Sequence, residues 1–167
     1  CPEFYFIFWG AIKAGFVPVP INTLLRSKDF HFMIDDSECG AVLYSSEVLV
    51  EVEMALDKLQ NQNLYKFCVG GEGKTFSSLL SEASCDLKAS SAKADSECFW
   101  LYSSGTTGAP KGTVHKHRDM VVTSELYGVG VLGMVEEDIC FSAAKLFFAY
   151  GLGNAMSFPL WVGASCI

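Results

Sequence analysis

Eleven consecutive residues, Tyr102-Ser103-Ser104-Gly105-Thr106-Thr107-Gly108-Ala109-Pro110-Lys111-Gly112, gather four aliphatic hydroxyls, three glycines and a lysine. Glycines let the backbone approach a ligand closely and reach positive φ. Hydroxyls and freed backbone N–H groups donate to phosphate oxygens, and Lys111 adds a point charge. Pro110 stiffens one end, so the loop can swing as a unit. From Ser103 to Arg118 the chain carries Lys111, Lys116 and Arg118 and no acid, a local +3 in a protein of net charge −7. The competing reading is a solvated Ser/Gly linker, but linkers rarely follow an apolar run such as Phe99-Trp100-Leu101-Tyr102 so directly. The chemistry suggested is the grip of a nucleotide's phosphate tail.

Two other glycine-rich stretches compare poorly. Gly128-Val129-Gly130-Val131-Leu132-Gly133 is a literal G-x-G-x-x-G. A dinucleotide fingerprint must follow a strand and precede an acid about 20 residues on. Here the preceding segment reads as helix, and no Asp or Glu occurs after Asp138, so a helix end with close packing is expected. Gly73-Lys74-Thr75 looks like the tail of a Walker A loop, yet Cys68 stands where its first glycine belongs; a surface turn is expected. His115 and His117 have no third ligand in view, so no metal site is expected from them.

The elements that must hold the loop follow from local signals. Pro2–Ala14 reads as a helix, with Pro at its start, Lys13 in the last turn and Gly15 beyond. Phe16–Pro20 reads as a short edge strand. Ser27 is expected to cap a helix to about Ser37, with Asp29 in its first turn. Further strands are expected at 41–44, 66–69, 99–102 and 139–142, with helices at 47–60, 75–83, 117–132 and 151–158. His115 is expected on a strand after the loop, packing or hydrogen-bonding near it. Asp86–Glu97 reads as a surface linker. Alternating strands and helices imply an α/β fold with a largely parallel sheet.

Composition narrows the function. Half of the 167 residues are apolar and 19% are charged, a globular profile with a prior of one domain. The acidic balance argues against a nucleic-acid surface. Seven scattered cysteines without a C-x-x-C pair read as small core hydrophobes in a reducing, cytoplasmic compartment. Leu146–Ile167 is uncharged apart from its neighbour Lys145 and long enough to cross a bilayer. Its Gly, Asn, Ser and Pro content favours a loop, short helix and buried strand instead, so no membrane partner is expected. Cys1 in place of an initiator Met, and an end within an apolar run, suggest an internal piece of a longer protein.

Tyr102–Gly112 resembles the phosphate-binding signature of the adenylate-forming (AMP-binding) superfamily, Tyr-Thr-Ser-Gly-Thr-Thr-Gly-x-Pro-Lys-Gly, with Ser103 in the Thr position. Ile12–Asn22 is similar to that family's earlier helix-to-strand motif, and Lys145–Gly151 to its aromatic gate followed by Gly. Phe141–Asn154 and Trp100–Ser104 look like the branch of benzoate-CoA ligase and its hydroxybenzoate relatives. The resemblance implies a partial N-terminal domain over residues 1–167, truncated at both ends and lacking the C-terminal domain. In it, Ser103, Ser104, Gly105, Thr106, Thr107, Gly108 and Lys111 would bind the nucleotide. Phe148 would be the gate, and Ala149, Tyr150 and Gly151 would belong to the substrate pocket. Ala beside Tyr also suits a flat apolar ring, while Phe147 reads as ordinary core.

The implied reaction activates an aromatic, benzoate-like carboxylate with ATP and transfers it to coenzyme A. A fatty or other aryl acid is the alternative substrate, and a non-catalytic nucleotide-binding piece the alternative role. Mg²⁺ would be held by the phosphates and a Glu outside this stretch. The catalytic Lys is expected in the absent C-terminal domain, so no catalytic residue is assigned here and the isolated chain is expected to be inactive. A homodimeric parent is compatible with the resemblance; the sequence alone determines no oligomeric state. A P-loop phosphotransferase would need Gly-Lys followed by Ser/Thr, an order that Pro110-Lys111-Gly112 lacks.

Overall fold

The computed structural model describes residues 2–59, 63–70, 76–103 and 108–167. The chain forms two compact units, one of residues 1–21 and 88–167, the other of 22–87. The expected first helix is present as α1, Pro2–Ala14. The strand expected over Phe16–Pro20 does not form. Prolines at 18 and 20 lack the N–H groups a ladder needs, and the described link to a strand is Trp100 N–H donating to the Pro18 carbonyl at 3.1 Å.

In the second unit, α2 (Ser27–Asp36) precedes β1 (Ala41–Ser45). A single 3₁₀ turn then leads into α3 (Leu49–Leu56), followed by β2 (Tyr65–Val69) and α4 (Phe76–Glu82). β1 and β2 pair in parallel from Ala41–Tyr65 to Ser45–Val69, with α3 as the crossover. Phe30, Met33 and Ile34 of α2, and Val52, Ala55 and Leu56 of α3, are buried at the i, i+3, i+4 spacing of a helix face.

Ser27 is not the cap that was expected but the first helical residue. Its N–H donates to Glu51 Oε2 at 2.7 Å, while Arg26 N–H donates to Asp29 Oδ2 at 3.3 Å. The Ser27 N–H and the Arg26 guanidinium hold the Glu51 carboxyl below its ordinary range. The Gly73-Lys74-Thr75 stretch lies outside the described residues.

The larger unit continues with β3 (Glu97–Ser103), β4 (Lys111–Lys116) and α5 (His117–Thr123). The helix expected to reach 132 changes winding at Ser124 into a π-helical stretch ending at Val129. The i→i+5 bond from Gly130 N–H to the Glu125 carbonyl, 2.9 Å, belongs to this winding. After β5 (Ile139–Cys140), α6 (Ala149–Leu152) passes through a π turn at Gly153–Ser157 into α7 (Phe158–Val162). β6 (Ser165–Cys166) returns parallel to β5.

This α/β layout thus combines two parallel βαβ crossovers with one antiparallel hairpin, β3–β4. Phe8, Cys98, Phe99, Leu152 and Met156 form the larger unit's buried core. Burial pushes the Cys98 thiol up to about 11, with the Asp119 charge adding. Cys85 and Cys166 are exposed, so among the described cysteines the reading of the thiols as core hydrophobes holds fully only for Cys98. Among the described residues no helix is long and apolar enough to cross a membrane; Gly, Pro and the π turn break the uncharged C-terminal stretch into short pieces.

Candidate functional site

The hydroxyl- and glycine-rich segment closes the β3–β4 hairpin. The ladder runs from Phe99–His115 to Ser103–Lys111, so Ser103 and Lys111 face each other as its last pair. Both are exposed. Ser104, Gly105, Thr106 and Thr107 lie outside the described residues. Gly108 follows at φ +107°, with open space where a Cβ would point. Backbone conformation, not crowding, therefore demands glycine there.

The stem below the loop is stiff. The His115 ring stacks on Phe99 at 4.6 Å and 9°, as a packing role for His115 requires. Phe99 in turn is buried against Phe8 at 5.6 Å. Gly112 lies under Trp100, where an added Cβ would come within 3.0 Å of the indole ring.

The three local cations do not act alike. Arg118 Nη1 lies 2.6 Å from Asp95 Oδ1, and Lys116 Nζ lies 3.8 Å from the same oxygen. Asp119 accepts the Lys116 backbone N–H at 2.8 Å, capping α5. Two of the three charges are thus offset by acids outside the acid-free run. Among the described residues Lys111 has no ion-pair partner, so its charge is available at the loop mouth. Sequence reading missed Asp95, which sits in the exposed linker 23 residues before Arg118 and carries no local signal of that pairing.

The aromatic segment stands on the same core. Leu152, two residues beyond Tyr150, is buried in the cluster that holds Phe99. Tyr150 is 64% exposed and Phe148 47%, Ala149 is exposed, and Gly151 is buried. Phe147 packs on Phe148 at 4.6 Å and is half-buried, outside the buried core cluster in which a core residue was expected. An added Cβ at Gly151 would fall 2.2 Å from the Lys145 carbonyl oxygen and 2.6 Å from that of Ala144. The chain can double back before α6 only because position 151 has no side chain.

Gly128 and Gly153 both press on Phe158: an added Cβ would meet its side chain at 3.2 and 2.7 Å respectively. The G-x-G-x-x-G run therefore serves packing, following α5 instead of a strand. A cavity of about 270 Å³, lined by Gly15, Phe16, Ser90, Ser96 and His117 among others, involves none of the expected site residues.

Parallel βαβ pairs beside an antiparallel hairpin place the chain in the α/β class of domains. The AMP-binding enzyme family model matches residues 1–167, and the chain belongs to that family. It is 47% identical over 166 residues to a benzoate–CoA ligase of Thauera aromatica, covering 99% of this chain and 31% of that protein. Over 167 residues it is 40% identical to a 4-hydroxybenzoate–CoA/benzoate–CoA ligase of Rhodopseudomonas palustris, with the same coverage.

Among solved structures, a benzoate CoA ligase from Burkholderia xenovorans superposes with a TM-score of 0.91 at 41% identity, covering 99% of this chain and 32% of that one. An anthranilate CoA ligase in complex with anthranoyl-AMP gives 0.92 at 34%, covering 99% and 33%. The chain therefore corresponds to an α/β N-terminal region of an adenylate-forming enzyme. It spans about a third of the length of these relatives.

Proposed function

We propose that this chain is the phosphate-gripping and acid-binding portion of an AMP-forming acid–CoA ligase acting on a benzoate-like aromatic carboxylate. The observation that carries the reading is the hairpin mouth, where Lys111, free of any described acid, pairs with Ser103 at the exposed end of the β3–β4 ladder. The likeness to benzoate–CoA and hydroxybenzoate–CoA ligases supports the substrate class.

A carboxylate is a poor acyl donor because its leaving group would be oxide or hydroxide. Attack of the carboxylate oxygen on the α-phosphorus of ATP gives an acyl-adenylate and releases pyrophosphate. The thiol of coenzyme A then attacks the acyl carbon, AMP departs, and the thiol proton passes to solvent. The work of this chain is to position the phosphates and stabilise their charge. Ser103, Ser104, Thr106 and Thr107 donate hydroxyl hydrogen bonds to the β- and γ-phosphates, Gly105 and Gly108 open the backbone to them, and Lys111 offsets the charge of the departing pyrophosphate.

Phe148 gates the acid's entry. Ala149 and Tyr150 form small and aromatic walls for the ring, and Gly151 keeps the turn that presents them. No group of three or more His, Cys, Asp or Glu converges among the described residues. Mg²⁺ would be held by the nucleotide phosphates and by a Glu outside this stretch.

The test is carboxylate-dependent pyrophosphate exchange into ATP by the full-length protein. Benzoate should support exchange well above a fatty acid, and Lys111→Ala should reduce it by a factor of about 10²–10³, the scale of removing one transition-state donor. Unchanged exchange in Lys111→Ala overturns the loop's role, and a preference for fatty acids overturns the aryl assignment. The isolated 167 residues should form no AMP from benzoate and ATP.

A further inference from the structure

We infer that Cys140 and Cys166 form a dithiol site that closes reversibly to a disulfide in exchange with a low-molecular-weight disulfide. The parallel β5–β6 ladder sets Cys140 opposite Cys166. Its register is held by Ser165 N–H donating to the Asp138 carbonyl at 3.1 Å and Ile167 N–H donating to the Cys140 carbonyl at 3.0 Å. Directly paired residues on adjacent strands project to the same face, with the strands about 4.8 Å apart. That spacing lies inside the Cα separation a disulfide tolerates, roughly 4.4–6.8 Å.

The two side chains share one face of the ladder as a directly paired position. Cys166 is exposed and Cys140 half-buried, whereas Cys98, at 0% exposure, is sealed in the core. Burial first, then the charge and hydrogen bond of Cys140, push the Cys166 thiol above its ordinary value. Exchange is therefore favoured by mildly alkaline conditions, where thiolate is the nucleophile.

A third group ties the pair to its surroundings. The Ala155 carbonyl lacks its ordinary α-helical donor because Pro159, four residues on, has no N–H. It accepts the Cys166 thiol at 3.2 Å and the Tyr5 hydroxyl at 2.6 Å. Oxidation removes the thiol donor and leaves the tyrosine.

The exchange balances as two displacements. One protein thiolate attacks a sulfur of oxidised glutathione, forming a mixed disulfide and expelling one glutathione thiolate. The other cysteine, as thiolate, attacks the protein sulfur of that mixed disulfide and expels the second. The two cysteines are oxidised, one disulfide is reduced, and the two protein protons end on two glutathione thiols.

The experiment exposes the full-length protein to oxidised glutathione at mildly alkaline pH, blocks free thiols with iodoacetamide, and maps peptides without reduction. The expected result is the tryptic peptide 119–145 joined to the peptide bearing Cys166, with loss of two hydrogens and release by dithiothreitol. Independent alkylation of both cysteines, glutathione persisting on one of them, or linkage of either to another cysteine overturns the proposal. Phenylarsine oxide provides a redox-neutral check on the same unmodified protein, since one arsenic holds two close thiols and releases water. It should protect Cys140 and Cys166 together from alkylation, and failure to do so overturns the site as well.

Discussion

At the scale of single residues, the positions that matter most are those where no other side chain fits. Gly151 is one, because the Lys145 carbonyl that would meet its Cβ is backbone and cannot swing away. Gly151→Ala should cost about 1–3 kcal/mol, the range for forcing extra atoms into packed structure, read as a lower urea midpoint with unchanged m-value. Cys98 makes a different prediction. Its thiol ionises near 9.0 when unfolded and at about 11 in the fold. The unfolded chain thus gives up the proton first, and this contribution to stability is intact below pH 9 and lost as pH rises to about 11. Stability measured against pH across that window should fall less steeply in Cys98→Ala than in the parent. Equal slopes would remove Cys98 as a contributor.

At the scale of elements, the two π-helical stretches pack on the same residue. Phe158 seats its ring against Gly128 and Gly153, and Pro159 withholds the donor that would continue regular winding. The Ala155 carbonyl so released is taken up by Tyr5 of α1. Tyr5→Phe should therefore cost about 0.5–1.5 kcal/mol, the net worth of such a bond. The loss should shrink in a Pro159→Ala background, where the helix regains its own donor. A double-mutant cycle on denaturation free energies measures that coupling, and additivity of the two changes would break the link drawn between them. Local reading reached both ends of α1, since Pro, Lys13 and Gly15 act within a turn of where they stand. It did not reach the change of winding at Ser124, in a stretch that packs on a ring 30 residues beyond Gly128.

At the scale of the whole molecule, large apolar side chains stay exposed on both units, among them Phe16, Leu24, Ile139 and Phe141 at 71–72%. The chain spans about a third of the length of its relatives, and among the described residues its sheets are two-stranded, with open edges. The 167-residue polypeptide alone should self-associate, as exposed strand edges and apolar patches do. Light scattering coupled to size exclusion should give a mass above 18.2 kDa. A clean monomer would contradict this.

The amino-acid order alone determined which donors the loop carries and most of the α/β succession. Hydroxyls, glycines and Lys111 are neighbours in the chain, and helix ends and apolar strands write their signals within a few residues. Only the folded chain decided which charges remain open and which atoms meet. Asp95 offsets Arg118 and Lys116, Phe99 carries His115, and the β5–β6 register brings Cys140 to Cys166. Each of these depends on contact between residues far apart in sequence, and pairings made by packing and sheet register leave no mark on either residue's immediate neighbours.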